Sequence, residues 1–295
     1  MKMRHLTLVL SLALLAAAGS ACAKSQQPPA LRAYAATVTE VETGNVVFEK
    51  HGGDARPMAS LTKLMSAMVL LDAHLPMDTL VTVTEDDRDT LRGSHSRLTT
   101  GSVFTRARLL TLALVASDNR AILALARSSP GGTEAFVQAM NAKAKELGLE
   151  HTHFVEPSGL SADNVSTAEE LTRLAAAAYA YPEIRERTTK AVTHASIGGR
   201  VVRFRNTNPL VADPRMGIDL TKTGFINEAG RCLLVVLHAG ARRFAIALLG
   251  APSGYARSLD LRALRNWLVA HAPGLAAHAP ALLARRPASS SEIDP

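Results

Sequence analysis

A chain of 295 residues, 47% of them hydrophobic, can bury a sizeable core in one large domain or two small ones. Aromatic residues make up only 4%, which excludes long stacking platforms for single-stranded nucleic acid and leaves Ala and Leu to fill the interior. The formal charge of +7 is spread along the chain rather than run together, which serves solubility and equally suits an anionic polymer as partner.

The N-terminus reads as a sorting signal. Lys2, Arg4 and His5 form a basic start, Leu6 to Ala18 are apolar apart from Thr7 and Ser11, and small residues end in Ala21-Cys22-Ala23. That is the basic, apolar, A-x-A-like order of a cleaved export signal, so residues 1–23 are expected to be removed and the protein to act in the periplasm. The apolar run is about 13 residues, short of the ~20 that a spanning helix needs, and no stable membrane span is expected. Cys22 offers a rival, lipid attachment after processing. Gly19-Ser20-Ala21 lacks the usual Leu of a lipoprotein signal, and plain cleavage near Ala23 is preferred. Only Cys232 then remains, so stability rests on the core and not on a disulfide.

Residues 24–34 read as a leader to the mature chain. Val38 to His51 predicts a hairpin, two β-branched segments about the turn cluster Glu42-Thr43-Gly44-Asn45. Ser60 to His74 predicts a helix apolar nearly all round, hence central in its domain. Val81-Thr82-Val83 predicts a short strand. Helices are expected over Arg106–Val115, Asn119–Arg127 and Glu134–Leu147, the last ended by Gly148. His151-Thr152-His153 is the nearest approach to a ligand cluster among ten His. With no H-E-x-x-H or C-x-x-C spacing it is read as a solvated turn, and neither metal nor cofactor is expected.

Ser166-Thr167-Ala168-Glu169 reads as a capping box opening an Ala-rich helix that stops before Pro182. Polar β-type sequence runs from Thr193 to Phe204, and Ile218–Thr223, Cys232–Ala239 and Phe244–Leu249 predict three strands. Their short connections imply antiparallel pairing. Cys232 lies in a β-branched run and is read as a small buried hydrophobe. An amphipathic helix over Arg257–Ala270 closes the fold, and residues 273–295, rich in Ala, Pro and Ser, read as a flexible tail. No Gly-, Pro- or Ser-rich linker divides the middle, so residues 35–272 count as one α/β domain.

Three strings carry candidate chemistry. Ser60 and Lys63 stand at i and i+3 of the all-apolar helix, so their side chains share one face. A serine nucleophile needs a base, and Lys is one only when its pKa is depressed. Burial beside Leu64, Met65 and Met68 and the positive end of the helix dipole both press that way. Ser117-Asp118-Asn119 are all preferred N-cap residues ahead of a helix. They also offer a hydroxyl for proton relay at Ser117, a loop brace at Asp118 and an amide at Asn119 to hold a substrate backbone. Lys222-Thr223-Gly224 continues a predicted strand. Lys222 and Thr223 suit a carboxylate, and Gly224 leaves room for another backbone, so that an extended peptide could add to that edge.

In this order the strings are the S-x-x-K, S-D-N and K-T-G set of active-site serine enzymes. The chain resembles the low-molecular-mass penicillin-binding proteins, and among them most closely the D-alanyl-D-alanine endopeptidases. The similarity runs from about Ala35 to Leu268 and includes Ala59 to Met65, Ala139 to Lys145, Phe154-Val155-Glu156-Pro157-Ser158-Gly159-Leu160, Phe204 to Asn208 and Leu220 to Phe225. Asp118 stands where endopeptidase relatives often have Glu.

The resemblance implies a β-lactamase/transpeptidase-like fold, an antiparallel sheet flanked by helices with a helical subdomain. It implies acylation of Ser60 by murein stem peptides and by β-lactams, with Lys63 as base and Ser117 as proton relay. Asn119, Lys222, Thr223 and Gly224 would bind substrate, and the backbone N–H groups of Ser60 and Phe225 would form the oxyanion hole. A terminal D-Ala and a cross-linked diaminopimelate both place a carboxylate beside the scissile amide, so a carboxypeptidase is the alternative. The longer family strings and the short stretch after the last helix favour the endopeptidase. A β-lactamase would need a deacylating Glu, and no E-x-x-L-N string is present. A non-catalytic wall-binding protein is the remaining reading.

Overall fold

The computed structural model describes residues 27–271; the export signal and the tail read from the sequence fall outside the described residues. In chain order the elements begin with β1 (Ala35–Glu40), β2 (Val46–Lys50), β3 (Arg56–Pro57), α1 (Thr62–Asp72), β4 (Leu80–Thr82) and β5 (Val103–Thr105). Three helices follow, α2 (Arg106–Val115), α3 (Asn119–Arg127) and α4 (Gly132–Glu146). After β6 (Val165–Ser166) come α5 (Ala168–Tyr179), α6 (Pro182–Thr188), β7 (Val192–Ile197) and β8 (Arg200–Arg205). The chain closes with β9 (Ile218–Ile226), β10 (Gly230–Ala239), β11 (Arg242–Ala251) and α7 (Gly254–His271).

Five strands form one antiparallel sheet in the order β2-β1-β11-β10-β9. The N-terminal hairpin thus joins the C-terminal strands, and β9 lies at one edge. Side chains of a strand alternate between faces, and here both faces are covered. On β10 and β11, Leu234, Val236, Ala245 and Ala247 face the helical side, and Leu233, Val235, Phe244 and Ile246 face α7. Burial on both faces is why these strands read as near-continuous apolar runs. Cys232 is buried among them, and burial pushes its thiol up to about 11.

Every residue of α1 from Thr62 to Leu70 is buried, as its all-round apolar pattern predicts. It is wrapped by α2, α3, α4 and α5, which make up the helical part of the fold. Residues ahead of β1 are tied to α7: the buried Asp260 carboxylate accepts from the backbone N–H of Arg32 and Ala33, the latter at 2.8 Å.

Two local expectations change. Pro182 ends α5 but also opens α6, because a proline at the first helical position loses no hydrogen bond that the helix needs. The cap of α5 is Thr167, whose hydroxyl accepts from Glu170 N. The capping box read at Ser166–Glu169 therefore does not form. Glu170 turns outward from the helix to accept from His151 N and Thr152 Oγ1, and this fixes the His151–His153 turn. Among the described residues no group of His, Cys, Asp and Glu could hold a metal ion. Also among them, no helix is long and apolar enough to cross a membrane.

Candidate active site

The nucleophile candidate precedes its helix by one turn. Ser60 sits in a 3-10 turn, Ala59–Leu61, and α1 proper starts at Thr62. The expected start at Ser60 is thus shifted, and no side chain caps the turn. The Ser60 hydroxyl instead accepts from Lys63 Nζ at 2.9 Å.

Ala59 holds φ +51°, which a non-glycine residue rarely adopts. Two glycines allow it. A Cβ on Gly159 would stand 2.0 Å from Ala59 O, and one on Gly224 would stand 3.0 Å from Met58 O and 3.1 Å from Ser60 N. The close approach anticipated at Gly224 is therefore made by the chain's own turn. Bare backbone on both sides fixes where the Ser60 hydroxyl emerges.

Lys63 is fully buried and makes two further bonds, to Asn119 Oδ1 at 2.7 Å and Ser158 O at 2.6 Å. Burial lowers its pKa to about 8, against the pull of the Glu156, Asp118 and Asp89 carboxylates, which favour the ammonium. Lys222, also buried, is pushed well below the ordinary lysine range by burial first, then by the charges of Lys63 and Arg257. Two such ammonium groups side by side in a dry site oppose each other's protonation.

Asp118 is the N-cap of α3, accepting from Ala121 N, and it also accepts from Ser96 Oγ. Its burial raises its pKa. With the capping role taken by Asp118, its two neighbours face the site. Ser117, at φ +57°, accepts from Lys222 Nζ at 2.8 Å, and Asn119 Nδ2 donates to Ser94 Oγ at 2.7 Å. Thr223 Oγ1 donates to Thr207 Oγ1 at 2.6 Å. Phe225 is half exposed at the end of β9, beneath the Arg231 guanidinium, 3.7 Å from the ring centre.

The structure thus brings together Ser60, Lys63, Ser117, Asn119, Lys222, Thr223 and Gly224 from three separate stretches of chain. Several partners were not singled out for a role in the sequence: Ser94, Ser96, Glu156 and Ser158. Glu156 organises a loop whose Ser158 carbonyl points at Lys63. Its carboxylate accepts from Ser158 N and Oγ, Gly159 N, Leu160 N and Asn164 Nδ2. The only sequence signal for this loop is the string Phe154–Leu160, which carries no chemistry by itself.

A family model described as D-alanyl-D-alanine carboxypeptidase matches residues 22–253. The chain belongs to the D-alanyl-D-alanine carboxypeptidase family. It is 40% identical to a D-alanyl-D-alanine endopeptidase of Escherichia coli K12, over 86% of this chain and 82% of that one. Similarity to a D-alanyl-D-alanine endopeptidase of Pseudomonas aeruginosa is 42%, over 81% and 77%. The crystal structure of the Streptomyces K15 DD-transpeptidase superposes with a TM-score of 0.76 at 28% identity, covering 83% of this chain and 99% of that one. The fold is accordingly the β-lactamase/transpeptidase-like one, an antiparallel sheet flanked by helices.

Proposed function

We propose that this chain is an exported D,D-endopeptidase that opens D-Ala cross-links in peptidoglycan through a Ser60 acyl-enzyme, with residues 35–272 as its catalytic domain. One observation carries the reading. Lys63 Nζ has two partners that can only accept, Asn119 Oδ1 and Ser158 O, and a third, Ser60 Oγ, that can also donate. A neutral amine has two N–H groups and one lone pair. The N–H groups go to the two fixed acceptors, and the lone pair is left facing the Ser60 hydroxyl.

Ser60 then loses its proton to Lys63 as its oxygen attacks the carbonyl of a D-Ala residue. The developing oxyanion is met by the backbone N–H groups of Ser60 and Phe225. The proton held by Lys63 is relayed through the hydroxyl of Ser117, itself bonded to Lys222, to the leaving amine, which restores neutral Lys63, and Asn119 holds the peptide. Lys222 and Thr223 receive the carboxylate beside the scissile amide, Thr223 exchanging its bond to Thr207 for it. Water then releases the acyl group. β-Lactams enter by the same attack and stop at the acyl stage.

The endopeptidase preference rests on the relatives: three D-alanyl-D-alanine endopeptidases match at 34–42% identity, against 28–33% for the carboxypeptidases. The basic start at Lys2, Arg4 and His5 followed by the apolar run Leu6–Ala18 supports export. A β-lactamase is disfavoured by Glu156. Its carboxylate is occupied by loop donors and has no free oxygen to activate a deacylating water.

Digestion of purified sacculi tests the assignment. Loss of cross-linked dimers is expected; loss of pentapeptide alone would make the enzyme a carboxypeptidase. Covalent labelling by a fluorescent penicillin that survives Ser60→Ala would overturn the acyl-enzyme.

A further inference from the structure

Arg92 reaches across the cleft from the loop over Asn119. Its Nε donates to Leu160 O at 2.5 Å, and its terminal nitrogen lies 2.9 Å from Glu228 Oε2, in the turn after β9. The loop carrying it is set from within: the Asp89 carboxylate accepts from the backbone N–H of Leu91, Arg92 and Ser94. The same loop touches the site through Ser94, which accepts from Asn119 Nδ2. The Arg92–Glu228 pair therefore joins the Asn119 wall to the K-T-G wall. It does so past Phe225, at the end of the cleft opposite Lys222.

Both partners stay open to water, with side chains 27% and 47% exposed. A pair so placed contributes little to stability. Its chemistry at this position is more informative.

The proposed reaction puts the carboxylate next to the scissile amide at Lys222 and Thr223. The stem residue on the acyl side of D-Ala then extends the other way, toward Phe225 and the turn. From Phe225 to Glu228 the chain spans up to about 10 Å, a distance that one stem residue with a side chain of lysine length can cover. In a diaminopimelate stem that side chain ends in a carbon bearing both an ammonium and a carboxylate. A guanidinium fork and a carboxylate side by side match this zwitterion, Arg92 to its carboxylate and Glu228 to its ammonium.

We propose that Arg92 and Glu228 form the subsite for the zwitterionic end of diaminopimelate on the acyl-donor stem, opening their own ion pair to receive it. This rests on the D,D-peptidase reading above. The subsite makes the enzyme selective for diaminopimelate stems over lysine stems, which offer the ammonium without the carboxylate.

The test compares kcat/KM on two soluble peptides, γ-D-glutamyl-diaminopimelyl-D-Ala-D-Ala and its lysine counterpart, with active sites counted by benzylpenicillin labelling. Wild type prefers the diaminopimelyl peptide. Arg92→Gln reduces the ratio of the two kcat/KM values by roughly tenfold, the loss expected for one charge-assisted bond, whereas Glu228→Gln lowers both values together and leaves the ratio near that of wild type. The double reversal R92E/E228R restores the ion pair but not the ratio, which separates recognition from the loop-to-turn contact. A wild-type ratio near one, a ratio unmoved by Arg92→Gln, or Glu228→Gln leaving both kcat/KM values unchanged overturns the proposal. A wild-type protein that benzylpenicillin does not label overturns the peptidase reading itself, and the subsite with it.

Discussion

The pH dependence of acylation follows from where Lys63 lies. Lysine in water titrates at 10.5, and burial brings Lys63 to about 8. The gap corresponds to about 3 kcal/mol against the ammonium. At pH 7 about a tenth of Lys63 is then neutral, compared with about three in ten thousand for an ordinary lysine. The base form therefore becomes available roughly 300-fold more often, before any benefit from its position. Measured as the second-order rate of labelling by a fluorescent penicillin, acylation should rise tenfold per pH step on the acid side. It should level off once Lys63 is neutral, with the bend near pH 8. Lys63→Arg keeps a cation that cannot release its proton, and labelling should fall by roughly 10²- to 10⁴-fold. A rate that is flat between about pH 6 and 9, or one that bends only near the ordinary lysine value, would refute Lys63 as the base.

Other substitutions probe the frame around that amine. Asp118→Asn keeps the cap of α3 but removes a carboxylate that favours the Lys63 ammonium, so the bend should move to lower pH; an upward move would contradict the electrostatics. Gly159→Ala puts a Cβ 2.0 Å from Ala59 O at φ +82°, and should cost about 2–4 kcal/mol of stability in denaturant melts, with labelling lost as the Ser60 turn is displaced. Asp260→Ala strips the acceptor from Arg32 N and Ala33 N, more than 25 sequence positions before the nucleophile. It should lower stability by about 2–3 kcal/mol while leaving the labelling rate of folded protein unchanged; a changed rate would mean that the α7 side communicates with the site.

Much of the architecture is legible in the chain because it is local. The bounds of α2 and α3 follow from their hydrophobic periodicity and from the Ser117-Asp118 break, and the structure gives them as Arg106–Val115 and Asn119–Arg127. The pairing of Ser60 with Lys63 is legible as well, since an i, i+3 spacing places two side chains on one face whatever surrounds them. Errors fall where one residue serves two masters. Pro182 stops one helix and starts another, and Glu170 leaves its own helix to hold the His151 turn.

The state of the site belongs to contacts that no local pattern encodes. Asn119 and Ser158 meet Lys63 from 56 and 95 residues away, and Lys222 meets Ser117 from 105. Two glycines far apart in sequence, Gly159 and Gly224, close on the same Ala59–Ser60 turn. By itself the sequence determined the reagents: a serine, two lysines, an amide and a strand edge, in an order that names a chemistry. Only the tertiary structure decided that one lysine is dry enough to act as a base. Desolvation sums over everything packed around a group, and that sum exists only once the distant segments have come together.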